Sequence, residues 1–242
     1  MIRRAMVLAA GLGTRLAPIT HTTPKPLVPV AGRPLLEHLL AFLRAGGIEE
    51  VVINLHHLGP KIQAHVGDGA RFGLRVRYST EDPILDTGGG IKRAEPLLAG
   101  EPFVVANGDS LLEIRLRDLV EWHEAHGGVA TLAVRPDPNV AHYGTVELDD
   151  TDRVCRIVGR PPTAKPGTRG LMFPGLHVLE PEVFRWMDAG GVFSITRVTY
   201  PRMIEAGLPV FGWETHARWI TIDTPEALAA ADRLLRDAPF GA

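Results

Sequence analysis

The chain has 242 residues, with 26 Lys plus Arg against 28 Asp plus Glu, 45% hydrophobic and 22% charged. That composition belongs to a folded globular protein and excludes a disordered one. The even charge balance argues against a nucleic-acid binder that works through bulk electrostatics, although a locally basic pocket for a small anion remains open.

A single cysteine, Cys155, leaves no intramolecular disulfide, so a reducing cytoplasm is the expected home. Arg3 and Arg4 followed by Ala5 to Ala10 loosely imitate a signal peptide. The apolar run breaks at Gly11 without a cleavage pattern, and reads instead as a strand leading into a loop. No stretch reaches the roughly 18 uninterrupted apolar residues of a membrane span.

In chain order, apolar runs at Ala5–Ala9, Val51–Leu55, Leu74–Tyr78, Pro102–Ala106 and Val129–Val134 read as strands, with helical segments between them. The clearest helix is Pro34–Ala45, where Leu35, Leu39 and Phe42 recur with helical spacing, Pro34 suits position N1, and Gly46 or Gly47 ends the helix. Beyond residue 135, strands are predicted at Thr145–Leu148, Val154–Val158 and Leu176–Leu179, with a mobile Pro- and Gly-rich flap from Arg160 to Gly170. A last helix, Pro225–Arg236, follows the N-cap Thr224. The expected fold class is three-layer α/β, a mostly parallel, Rossmann-like mixed sheet flanked by helices. Its core would be residues 1–135 and 218–242, with a smaller lobe at 136–217 over the substrate side.

The segment Leu8-Ala9-Ala10-Gly11-Leu12-Gly13-Thr14-Arg15-Leu16, followed by Pro24-Lys25-Pro26-Leu27, points to phosphate binding. Glycines let backbone N–H groups approach an anion. Arg15 offers a planar fork and Lys25 a compact charge on a stem held between two prolines. It is neither a Walker A loop nor a dinucleotide fingerprint, because no Gly-Lys-Ser/Thr closes it and Leu16 replaces the third glycine. Asn107-Gly108-Asp109 ends a strand, where a carboxylate suits Mg²⁺. Gly88-Gly89-Gly90 opens a helix whose free N–H groups suit a polar ligand edge, and ionised Glu81 can only accept hydrogen bonds. The pairs His56-His57 and His123/His126 read as packed or solvated side chains, since no partner ligands stand at metal-site spacing.

The stretch from Leu8 to Leu35, through Val28-Pro29-Val30-Ala31-Gly32-Arg33-Pro34, resembles the opening of the sugar-phosphate nucleotidyltransferase family. The resemblance implies the nucleotidyltransferase fold and transfer of a nucleoside monophosphate from an NTP to a sugar 1-phosphate, with Mg²⁺ as cofactor. It assigns the triphosphate to the loop Leu8, Ala9, Ala10, Gly11, Gly13 and Thr14, the β- and γ-phosphates to Arg15, and the reacting phosphate to Lys25. Asn107, Gly108, Glu81 and Gly88 would complete the nucleotide site, and Asp109 would bind metal. Tyr143, Gly144 and Gly175 match positions that present backbone to sugar hydroxyls. Gly159-Arg160-Pro161 stands where the family has Glu-Lys-Pro, so Arg160 would take the sugar phosphate.

The family's Trp-x-Asp-x-Gly-Thr-Pro-Glu becomes Trp219-Ile220-Thr221-Ile222-Asp223-Thr224-Pro225-Glu226. Asp223 is therefore the expected second metal ligand, reached by sharing a strand face with Thr221; the alternative is Thr221 itself. The wider pattern is most similar to the uridylyltransferases of N-acetylmuramic acid 1-phosphate, which favours UTP. Mannose- and heptose-1-phosphate guanylyltransferases compete, as do a cytidylyltransferase and a non-catalytic nucleotide-sugar sensor. The expected partners are an NTP (UTP, GTP or CTP) and a sugar 1-phosphate, with no nucleic acid and no membrane; a homodimer stays open.

Overall fold

The computed structural model describes residues 1–163 and 166–240. Its main sheet has seven strands: β1 (Arg4–Leu8), β2 (Glu50–Leu55), β3 (Arg75–Thr80), β4 (Phe103–Asn107), β5 (Ala130–Val134), β6 (Leu176–Leu179) and β7 (Val210–Glu214). Their spatial order is β7-β5-β6-β4-β1-β2-β3. Every neighbouring pair is parallel except those of β6, which runs antiparallel to β4 and to β5.

The central strands are mostly apolar because both faces are covered. In β1, Ala5 and Val7 enter one core while Met6 enters the other; in β4, Val104 and Ala106 part from Phe103 and Val105 in the same way. The first core is closed by the helices Leu35–Ala45, Leu116–His126 and Pro225–Asp237, and the second by Asp86–Arg93 and Tyr200–Glu205. This is the three-layer α/β arrangement expected.

Local signals explain several boundaries. The helix Leu35–Ala45 buries Leu35, Leu36, Leu39, Leu40 and Leu43, and Pro34 stands just before it as N-cap rather than at N1. Gly46 follows it, packed so closely on Leu116 that a Cβ would lie 2.5 Å from that side chain. Thr224 caps the last helix as expected, its Oγ1 accepting from the Ala227 N–H at 3.2 Å.

Two expectations need correction. Residues 136–217 are not a lobe apart from the core, because β6 and β7 lie in that range and pair within the main sheet. What stands outside that sheet is a small antiparallel one, Thr145–Leu148 between Val154–Ile157 and Arg169–Met172. The predicted flap is shorter than Arg160–Gly170, since Arg169 and Gly170 already pair with Leu148 and Glu147; Ala164 and Lys165 lie outside the described residues. His123 is of the packed kind expected: it is buried, with Nδ1 2.8 Å from Thr131 Oγ1 and Nε2 3.2 Å from Glu180.

A two-stranded ribbon also stands apart from the main sheet, formed by Ser110–Leu112 pairing antiparallel with Trp219–Thr221. Arg218 extends it by a bidentate ion pair to Glu113, with both contacts at 2.8 Å.

Candidate functional site

A cleft of about 460 Å³ opens where β1, β2 and β4 end, the edge at which open α/β sheets gather ligands. Leu8 to Gly11 form one wall, Lys25 and Asp109 the floor, and Asn54, Glu81, Ile84 and Thr87 the opposite side, with Asn107 and Gly108 between them.

At the floor, Lys25 begins a short turn just after Pro24, whose fixed φ of −62° restricts the approach of the chain. Only 10% of the lysine side chain is exposed, and its Nζ lies 2.7 Å from Asp109 Oδ2 and 2.5 Å from Asp223 Oδ1. Arg15 donates to the same Asp223 oxygen at 3.1 Å and remains 63% exposed.

The ribbon makes this meeting possible. Its register carries Ile222 opposite Asp109, joined by an Ile222 N–H to Asp109 carbonyl bond of 3.3 Å, so Asp223 arrives beside Asp109. Asp223 lies just beyond the end of the strand; pairing across the ribbon brings it to the site, where the Thr221 hydroxyl hydrogen-bonds its carboxylate. Burial pushes the Asp223 carboxyl up, yet Lys25, Arg15 and the Thr221 hydroxyl outweigh it and hold the carboxyl below its ordinary range.

The two carboxylates already converge on one cation, the ammonium. Two carboxylate oxygens suit a Mg²⁺ that completes its shell with phosphate oxygens and water. No cluster of three or more His, Cys, Asp or Glu capable of holding a metal occurs among the described residues. His56 and His57 are engaged elsewhere, at the carbonyls of Glu81 (3.0 Å) and Thr20 (2.9 Å).

In the phosphate loop the two glycines differ. Gly11 faces open space, with nothing within 4 Å of where a Cβ would be. Gly13 has φ +65°, and a Cβ there would lie 2.8 Å from the Thr20 methyl group. Its carbonyl accepts from the Thr20 hydroxyl and the Leu16 N–H, both at 2.9 Å. Three expected backbone contacts are already spent inside the protein: Ala9 N–H donates to Asn54 Oδ1 (2.6 Å), Gly108 N–H to the Leu8 carbonyl (2.9 Å), and Asn107 N–H to the Gly175 carbonyl (2.8 Å). Ala10 lines the cleft, whereas Thr14 is exposed and outside its lining.

Across the cleft, Glu81 is 2% exposed. Its Oε1 accepts from Asn54 Nδ2 at 2.6 Å and its Oε2 from the Leu85 N–H at 2.8 Å. Asn54 is the functional candidate that motif reading missed. Its only signal was a polar residue interrupting the apolar run Val51–Leu55.

The glycine run serves packing instead of ligand donation. Gly88 and Gly89 N–H groups both go to the Phe193 carbonyl, at 2.9 and 3.1 Å, and Gly88 is buried outside the cleft lining. A Cβ on Gly90 would lie 2.5 Å from Glu81 Oε1, so this glycine makes room for the carboxylate.

None of the four acceptor-side candidates lines the cleft. Gly175 (φ +88°) packs directly on Asn107, which does. Tyr143 is 42% exposed and sets its ring edge-on to Trp219 of the ribbon, 5.2 Å between centroids. Gly144 turns the chain at φ +92°, and Arg160 is exposed.

With this geometry in place, the relatives are informative. Residues 4–234 match the model described as Nucleotidyl transferase. The chain is 36% identical to the N-acetylmuramate alpha-1-phosphate uridylyltransferase of Neisseria meningitidis serogroup B, over 96% of this chain and 97% of that protein. It is 34% identical to a mannose-1-phosphate guanylyltransferase of Mycobacterium tuberculosis, over 92% of this chain. It is 32% identical to a UTP--glucose-1-phosphate uridylyltransferase of Synechocystis, over 90% of this chain. The chain spans 61% and 60% of the lengths of these last two proteins. A UDP-glucose pyrophosphorylase from Acinetobacter baumanii shares the fold, with a TM-score of 0.83 over 100% of this chain and 96% of that one at 19% identity. By the match of its sequence from end to end of the sheet, the chain belongs to the nucleotidyl transferase family.

Proposed function

We propose that the protein transfers a nucleoside monophosphate from an NTP to a sugar 1-phosphate and releases pyrophosphate. The observation that carries this reading is Lys25, poised between Asp109 and Asp223 beside the open face of Gly11. A bare cleft would suit many ligands; a caged ammonium beside the small residues Ala9, Ala10 and Gly11 suits a polyphosphate.

An oxygen of the sugar 1-phosphate attacks the α-phosphorus in line, and pyrophosphate departs. The attacking phosphate is already anionic, so no protein nucleophile is required. Catalysis is positioning and charge stabilisation. Arg15 and Lys25 take the triphosphate, whose oxygens offer them more negative charge than two carboxylates do. Glu81 accepts an N–H of the base, with Asn54 and Leu85 holding its orientation. Mg²⁺, held by Asp109 and Asp223, would supply charge neutralisation on the leaving phosphates.

Within this class we favour UTP and N-acetylmuramic acid 1-phosphate, because the Neisseria relative matches over 97% of its own length while the glucose and mannose relatives are longer proteins. Pyrophosphate release measured with four NTPs against a panel of sugar 1-phosphates tests both levels. The expected best pair is UTP with N-acetylmuramic acid 1-phosphate. Faster turnover of GTP with mannose or heptose 1-phosphate would replace that substrate assignment, and binding without turnover of any pair would refute the enzyme.

A further inference from the structure

We propose that Asn54 is a positioning residue that couples the reading of the base to the shape of the phosphate loop. The inference rests on the functional reading above, in which Glu81 meets the base and residues 9–11 meet the phosphates.

Asn54 is 3% exposed, and its amide is committed in two directions. Oδ1 accepts the Ala9 N–H at 2.6 Å, and Nδ2 donates to Glu81 Oε1 at 2.6 Å. These partners leave no ambiguity in the amide's orientation, because a backbone N–H only donates and a carboxylate only accepts. Leu85 N–H completes the chain on Glu81 Oε2 at 2.8 Å. One line of hydrogen bonds thus runs from the loop after β1, through β2, to the residue after β3 and the entry of the helix Asp86–Arg93.

Both Ala9 and Glu81 line the cleft, so the line has its two ends at two parts of one ligand. It cannot slacken sideways, since Gly90 closes over it with room for no Cβ: one would lie 2.5 Å from Glu81 Oε1 and 2.9 Å from Asn54 Nδ2. A rotation of Glu81 toward the wrong base edge therefore turns the Asn54 amide, and with it the anchor of the Ala9 backbone.

Two substitutions separate the two hands of the amide. Asn54→Asp keeps an acceptor for Ala9 and sets a second carboxyl against Glu81 in place of the amide donor; Asn54→Ser is too short to serve either. Calorimetric titration in Mg²⁺ buffer gives the affinities of the full chain and both variants for UTP, CTP, GTP, ATP and inorganic pyrophosphate. For Asn54→Asp, the preference for the best base over the others should fall roughly tenfold while pyrophosphate affinity stays at the wild-type level. For Asn54→Ser both should fall.

A purely structural role would lower the melting temperature and leave the ratios among the four nucleotides unchanged; that result, or an equal loss of pyrophosphate binding in both variants, overturns the inference. Should Asn54→Ser unfold, Asn54→Asp decides alone, with pyrophosphate binding as its check on folding. A wild-type protein that binds none of the five probes ends the functional reading and this inference with it.

Discussion

Replacing Lys25 by Ala removes the ammonium that Asp109 and Asp223 share at 2.7 and 2.5 Å. If Lys25 stabilises developing charge, its loss raises the barrier by about 2.7–4 kcal/mol and slows turnover roughly 10²- to 10³-fold. The resting protein changes as well, because two carboxylates are left facing each other. Unit charges about 5 Å apart repel by roughly 3 kcal/mol at an effective dielectric constant of about 20. Solvent reduces that figure, since Asp109 is 36% and Asp223 19% exposed, and Arg15 stays on Asp223. The variant should therefore fold.

Its acid response should shift. In the wild type, burial raises the Asp223 carboxyl but Lys25, Arg15 and Thr221 bring it below the ordinary range. A depressed carboxyl contributes stability that is present above its unfolded pKa of about 3.9 and lost as pH falls through the lower native value. Without Lys25 the native carboxyl moves back toward its unfolded value, so less stability is lost on acidification and the acid limb of the profile flattens. Pyrophosphate release at saturating substrates reads the first effect, and urea denaturation across acid pH reads the second. Wild-type turnover, or an acid profile superimposable on the wild type, would refute this account of Lys25.

Glu81→Gln replaces a pure acceptor with a group that also donates; kcat/KM for the preferred NTP should fall roughly 10- to 150-fold and base discrimination should relax, as read by competing NTPs in one assay. Gly88→Ala places a Cβ 2.4 Å from the Phe193 ring and should destabilise the fold by about 1–3 kcal/mol in urea denaturation; a stable variant that lost nucleotide binding would restore a ligand role to this glycine. A chelator should abolish turnover, with recovery on adding Mg²⁺, and Asp109→Asn should weaken Mg²⁺ binding to the UTP-loaded protein in calorimetric titration. Full activity in excess chelator would remove the metal from the reaction.

Most of the sheet was legible because its central strands are buried on both faces and so are written as largely apolar runs. The helix Leu35–Ala45 was legible because its leucines keep one period. Arg15, Lys25, Asp109 and Asp223 were found as individual residues by their chemistry and by family resemblance. Their meeting was not, because the ribbon that joins them is two strands of three residues, Ser110–Leu112 and Trp219–Thr221, too short to show any period. Gly88 to Gly90 were misread for another reason: a glycine needed for close packing and one needed for ligand approach look alike until the neighbour is known, here Phe193 and Glu81.

The ribbon also sets when the site can exist at all. Lys25 and Asp223 are separated by 198 positions along the chain, so a ribosome must add all of those residues before the ammonium gains its second carboxylate. A shortened translation product that stops ahead of Trp219 would carry the glycine loop and Lys25 with an unfinished cage around it. The cage thus waits on synthesis through Asp223, and a fragment that stops before it would lack one of the two carboxylates.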